Sequence, residues 1–415
     1  MRRIAILFYI SASITCHGQI IADHTVVDRY DDIPQQYIDE VKKMLVDIAG
    51  ESHSLGYRIG MNLLELYDSK FQVTTYDGSV PGITTSNLRF GRHGSVGEEE
   101  FYTSASAVNG YKSHITTQNT SGNPYSVVGF GWCWDMTHIN LPGGTADPVY
   151  KVRWAGSSVG GPEGNLRWGL DAGDQSLTGN SVSMSTYLNA VEQYIQHCTS
   201  NGYPTKVIFT TGPVDGNGGT ENGFQREIKH DYMRDYVKAS GSRILFDYAD
   251  ILCWNNSGVE YITNWNDGGT IRPHANIHTD NMKDYDGSWN MISHSEDGDH
   301  IGEVGALRLA KAMWWMLARI AGWDGGTTDI GPEAHDDIDL FKYSMFPGEL
   351  HINILNPCLT GTLSIHSING TLISSLILTQ DFCVVNTYEF ESGIYILSVH
   401  TEKQAQSKKI AIIQH

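Results

Sequence analysis

From residue 44 to residue 320, short apolar runs alternate with longer stretches of helical periodicity, and this alternation limits the folds open to the chain more than any other feature. Residues 44–49, 125–130, 205–210 and 243–247 are apolar, short and bounded by turn residues, as buried strands are. Residues 55–67, 184–198, 227–238 and 301–320 carry apolar side chains at helical spacing, the last through Leu307, Leu309, Ala312, Trp315 and Leu317. Strands that alternate with helices predict an α/β fold, because parallel strands need a crossover and their helices then cover both faces of the sheet. In such a sheet, ligands lie beyond the carboxyl ends of the strands. The run 44–49 passes through Gly50-Glu51-Ser52 directly into a helix, so Ser52 is expected at such an end.

The pattern changes after Trp323. Asp324-Gly325-Gly326-Thr327-Thr328-Asp329 opens an acidic connector, read as a linker over 324–340. Residues 341–415 then show short β-like runs (350–355, 361–365, 371–378, 393–399 and 408–413), the pattern of a small all-β sandwich. At the other end, Arg2 and Arg3 precede an apolar run over 4–14 and small residues near Gly18, which predicts a signal peptide over 1–18. That run is too brief to span a bilayer, and no later one is long enough. The main domain is thus expected over 19–323.

The 415 residues carry a formal charge of -19, and no long basic patch breaks the acidity. Nucleic acid is excluded as a partner on this ground, since phosphate backbones are bound by clustered Lys and Arg. Cleavage of the signal would remove Cys16 and leave Cys133, Cys198, Cys253, Cys358 and Cys383, which form no C-x-x-C pair. An exported chain permits a Cys358–Cys383 disulfide.

A serine hydroxyl needs an imidazole to take its proton and a carboxylate to orient that imidazole. Ser52 supplies the first group, and Asp297-Gly298-Asp299-His300, just before the last long helix, supplies the other two; the plain alternative for Ser52 is a helix N-cap. In this arrangement residues from about 44 to 323 resemble the SGNH/GDSL hydrolases. That family's Gly-Asp-Ser block is similar to Gly50-Glu51-Ser52. Its Asp-x-x-His block, followed by a helix, is similar to Asp297–His300 followed by Gly302, Gly305 and Leu309-Ala310. The resemblance implies a three-layer αβα, flavodoxin-like domain and a serine esterase with no cofactor and no metal, in which Ser52 is the nucleophile, His300 the base and Asp297 its orienting acid. It further implies a glycine N–H at the oxyanion, with Gly94 and Gly97 both candidates. The family's Gly-x-Asn-Asp block has no asparagine here, where residues 129–135 read Gly-Phe-Gly-Trp-Cys-Trp-Asp. The indole N–H of Trp132 or Trp134, or backbone amides, would have to stand in.

Among the remaining polar residues, Asp215 ends a strand and is read as contacting substrate, Asp247 and Asp250 as capping turns, and Cys133 as packing. Trp132, Trp134, Trp154 and Trp168 are read either as platforms for sugar rings or as core. His274, His278 and His294 beside Asp280, Asp284, Asp286 and Glu296 match no metal-ligand spacing and are read as a solvated loop. The last seventy or so residues resemble the C-terminal sorting domain of type IX secretion, on Gly370, Ser392-Gly393-Ile394-Tyr395 and the basic-apolar ending Lys408-Lys409-Ile410-Ala411-Ile412-Ile413. The expected partners are therefore that secretion machinery and an ester or acylated carbohydrate substrate. Two other functions fit the same sequence: a catalytically inactive SGNH scaffold that binds carbohydrate, and a glycan-active enzyme using carboxylates among Asp215, Asp247 and Asp297.

Overall fold

Along the strand Leu45–Gly50, Val46 and Ile48 pack into one apolar cluster while Leu45 and Ala49 pack into another. Successive side chains of a strand point to opposite faces, so this run is buried on both sides. The structure, a computed structural model, describes residues 18–50, 52–94, 97, 101–133, 136, 145–156, 166–284, 301–326, 341–346, 348–354, 361–367, 371–378, 382–401 and 405–412. It divides into two units, Met1–Thr328 and Asp329–His415.

In the first unit the strands are β1 (Ile21–Ala22), β2 (Leu45–Gly50), β3 (Val73–Asp77), β4 (Leu88–Arg92), β5 (Val127–Gly131), β6 (Lys206–Val207), β7 (Phe209–Thr210) and β8 (Leu245–Phe246). Five of them form a parallel sheet in the order β3-β4-β2-β5-β6, and β1, β8 and β7 form a second parallel set. Only Ile208 separates β6 from β7. Its N–H donates to Val128 on one side and that of Phe209 to Ile244 on the other, so the two sets run on as one sheet.

The helices are α1 (Gln35–Val41), α2 (Ser54–Tyr67), α3 (Ala105–Thr120), α4 (Met184–Asn201), α5 (Glu221–Lys238), α6 (Tyr248–Cys253) and α7 (Glu303–Ile320). Apolar side chains of α1, α2, α6 and α7 share one cluster with Val46, Ile48 and Phe90, and those of α3, α4 and α5 share the other with Leu45, Val128 and Phe130. The result is three layers, helix–sheet–helix. An antiparallel hairpin, β9 (Ile262–Asp267) and β10 (Thr270–Ala275), turns through Gly268-Gly269, both at positive φ.

Contacts fix the direction of α7. Gly60 of α2 faces Ala306 of α7, and further along, Leu64 and Tyr67 line a pocket of about 350 Å³ with Leu307 and Lys311. The two helices therefore run the same way, and α7 starts beside the start of α2, on the edge where β2 ends. A Cβ added at Gly60 would lie 2.0 Å from the Ala306 carbonyl oxygen, which is backbone and cannot swing aside. Gly60→Ala is expected to lower stability by about 1–3 kcal/mol despite alanine's better helix propensity. A urea midpoint equal to or above the parent's would show that the clash is relieved.

In the second unit, β11 (Phe341–Phe346), β12 (Glu349–Ile354) and β15 (Phe382–Asn386) form one antiparallel sheet, in the order β11-β12-β15. The other contains β13 (Gly361–Ser367), β14 (Leu372–Leu378), β16 (Gly393–Thr401) and β17 (Ala405–Ile412), in the order β14-β13-β16-β17. Leu350 and Ile352 of the first share one core with Leu363, Ile365, Leu397 and Val399 of the second. The unit is therefore all-β. Cys383 carries a free thiol, and Cys358, its expected disulfide partner, lies outside the described residues. No described helix is long and apolar enough to cross a membrane.

Candidate functional site

Ser52 follows the central strand β2 and precedes α2, at the carboxyl edge of the sheet. Three glycines let the chain turn there. Gly50 has φ +130°, and a Cβ on it would meet the Gly131 carbonyl oxygen at 2.0 Å; one on Gly131 would meet Ser54 Cβ at 2.7 Å; and Gly129 is crowded by Ile208 and Ile48. With no side chains between them, the exits of β2 and β5 close up. Ser52 Oγ then lies 3.3 Å from Cys133 Sγ, two residues beyond β5.

The next residue, His53, is enclosed in the protein. It is 1% exposed, and its Nε2 lies 3.0 and 3.2 Å from the two oxygens of Asp215, itself 0% exposed. Asp215 sits in the loop after β7, braced by the buried guanidinium of Arg226, which donates to the carbonyls of Val214 (2.8 Å) and Asp215 (2.7 Å). On the Cys133 side, the buried Lys229 donates to the carbonyls of Met136 and Ala155. Burial opposes a charge on His53, but the Asp215 carboxylate, with Cys133 beside the ring, outweighs that cost and holds the imidazole protonated up to about 10. The edge thus gathers a hydroxyl, a thiol, an imidazolium and a carboxylate, the groups from which nucleophilic catalysis is built.

These positions revise several expectations. Asp215 does not face substrate, because its carboxylate is enclosed and holds His53. Trp132 is 2% exposed and its indole N–H donates to the Thr210 carbonyl at 3.0 Å, so it offers no donor to an oxyanion. Trp154 and Trp168 are buried as well, and the three are core rather than sugar platforms. Cys133, read as packing, is partly exposed beside Ser52. Gly94 and Gly97 follow β4, the neighbour of β2, on the same edge as Ser52. Trp134, Asp297 and His300 lie outside the described residues. His53 was not anticipated, although it stands next to Ser52 in the sequence.

Asp247 does cap α6, accepting from Asp250 N–H at 3.2 Å, but it is also buried and bound by Arg234 at 2.6 Å and Thr211 at 2.8 Å. Asp250 instead holds His24 Nδ1 at 2.6 Å. Carboxylate-based chemistry through Asp215 and Asp247 has no access to solvent.

Among the described residues, two groups bring metal-type donors together. In the first, Asp47 accepts from His93 N–H (2.8 Å), Tyr111 (2.8 Å) and Tyr76 (3.2 Å) and lies 2.9 Å from His93 Nδ1, so the protein's own donors occupy its oxygens. The His93 ring stacks on His114 at 3.5 Å, and burial, followed by repulsion from His93, lowers His114 to about 4. In the second, Asp250 and His24 are already paired, Asp23 accepts from Thr25, and the His24 ring stacks on Trp254 at 4.0 Å. Both are explained as structural. Of the residues read as a solvated loop, Asp280 does pair with Lys283 at 2.7 Å in an exposed turn, but His274 is buried within β10, against that reading; His294, Asp286 and Glu296 lie outside the described residues.

Residues 347–414 match the family described as secretion system C-terminal sorting domain. The terminal unit is a type IX sorting domain, and it indicates export to the exterior or cell surface of a Gram-negative bacterium by that machinery. No curated protein matches the sequence. Similar solved structures include an engineered protein (9% identity, 96% of this chain and 100% of that one, TM-score 0.23). A double mutant of Cellulomonas fimi endo-β-1,4-mannanase (10%, 95% and 100%, TM-score 0.18) and the Thermotoga petrophila endo-β-1,4-mannanase (12%, 96% and 98%, TM-score 0.16) are others. TM-scores this low equate no folds.

Proposed function

We propose that the first unit is an exported SGNH-like ester hydrolase in which Ser52 attacks the ester carbonyl and water releases the acyl group. The observation that carries this reading is the place of Ser52, on a glycine-hinged strand-to-helix turn at the carboxyl edge of the central strand. There a substrate carbonyl can approach both its hydroxyl and the N–H groups at the start of α2. The strand order supports it: with the outermost strands β1 and β3 set aside, β4-β2-β5-β6/β7-β8 has the flavodoxin-like order 2-1-3-4-5, to which β3 is added beyond β4 and β1 beyond β8. So does the direction of α7, whose first turn lies on the Ser52 edge and directly follows Asp297 and His300 in the chain. In this reading His300 takes the serine proton and Asp297 orients it, Gly94 or Gly97 lends a backbone N–H, and no cofactor takes part. Export by a sorting domain makes O-acylated glycans outside the cell the substrate class.

The test is covalent labelling. A fluorophosphonate probe is expected to modify Ser52 in the intact chain, located by peptide mass spectrometry, and His300→Ala is expected to suppress the label. Absence of labelling in a folded chain that also turns over no acetyl ester would leave a binding scaffold as the function.

A further inference from the structure

We infer that the free edge of β14, in the sorting domain, is a contact between two copies of this chain, which pair antiparallel about Ser375 into a closed dimer. β14 is the last strand of its sheet, and among the described residues no strand lies on its far side. Such an edge offers unpaired N–H and C=O groups to any strand able to add to it, and chains ordinarily guard it with charge or proline. The opposite edge, β17, carries Lys408 and Lys409, and β11, an edge of the other sheet, carries Lys342. Leu372–Leu378 carries no charge and no proline.

The edge is apolar on both faces. Pairing with β13 sets Leu376 opposite the buried Leu363 and Ser374 opposite the buried Ile365, so Ser374, Leu376 and Leu378 take the core face and Ser375 and Ile377 the outer one. Ile377 is 78% exposed, and Ile373, at a one-residue bulge beside Ser374, is 43% exposed. Leu376 is on the core face and is still 39% exposed. From Ser374 to Leu378 the strand is regular, with its far side open.

Two observations point to a second copy as the strand that adds there. The first is self-complementarity. When a two-fold axis relates two antiparallel strands, residues equally far from the axis on either side meet. With the axis at Ser375, that serine meets its own copy, and Ile373 of each chain meets Ile377 of the other, apolar on apolar and polar on polar. The same operation about Val384 of β15, the remaining edge, sets Phe382 against Asn386. The second observation is charge. A chain of formal charge -19 repels its own copies, so a contact between copies closes best where neither side brings a like charge, as along β14. A two-fold contact is complete at two chains and does not propagate.

The experiment uses the full chain. Sedimentation equilibrium is expected to show a reversible monomer–dimer equilibrium with a dissociation constant of about 1–100 µM. Ile377→Lys places two lysines at the contact and should weaken it at least about tenfold. Its circular dichroism and urea midpoint should match the parent's, because Ile377 is mostly in solvent in the single chain. Ser375→Cys, mildly oxidised, is expected to give a dimer whose disulfide joins the two 375 positions in a peptide map, since residues directly opposite in a sheet have Cβ atoms about 4.5–5.5 Å apart. A single-chain mass at every concentration up to about 0.1 mM overturns the proposal. So does a dimer that Ile377→Lys leaves as tight as before, which is held elsewhere, and so does growth past two chains, which shows a contact that does not close. None of these outcomes bears on Ser52.

Discussion

Ser52→Ala is expected to lower kcat on a chromogenic acetyl ester by roughly four to six orders of magnitude, the scale on which removal of a serine nucleophile acts. The fold should not change, because the Ser52 hydroxyl lies at the sheet edge, beside the Cys133 thiol, and is no part of either apolar cluster. Circular dichroism and the urea midpoint should therefore match the parent. Turnover within about tenfold of the parent would end the serine reading.

The second large effect is on stability. Asp215→Ala leaves His53 buried without its carboxylate and takes one anion from beside Arg226, and breaking a buried pair from one side typically costs about 3–5 kcal/mol. The loss should depend on pH in a definite direction. His53 has an ordinary value of 6.5 and is held protonated in the folded chain up to about 10. Its contribution is therefore full below about 6.5, where folded and unfolded chains both carry the proton, and is lost as pH rises through about 10. The gap in unfolding free energy between parent and variant should be widest in mild acid and should narrow steadily towards pH 10. A gap that is flat in pH would mean that His53 is neutral in the fold and that the pair is an ordinary hydrogen bond.

Much of the architecture could be read from local pattern. Short apolar runs marked β2, β5, the β6/β7 segment and β8 to within a few residues, because strands buried on both faces have no polar side to interrupt them. The edge strand β3 and its neighbour β4 were not recognised. Val73–Asp77 exposes Thr74 and Asp77, and Leu88–Arg92 carries two arginines, so neither looks like a buried run. The hairpin β9–β10 had a legible turn in Asn266-Asp267-Gly268-Gly269, but its strands alternate between exposed and half-exposed positions and bury little. The tryptophans show the opposite problem: composition cannot tell a sugar platform from a core side chain, and only the packing around Trp132, Trp154 and Trp168 decides it.

The sequence by itself determined the two-part organisation, the alternation that makes the first unit a parallel sheet between helices, the all-β character of the sorting domain, and the place of Ser52 at the end of the first long strand. All of these follow from side-chain periodicity, which is local. The convergence of Cys133, His53 and Asp215 was decided by the tertiary structure alone. It depends on β5 lying next to β2 and on β7 continuing the same edge, and strand order is set by how whole faces bury against one another, a property that no stretch of residues carries on its own.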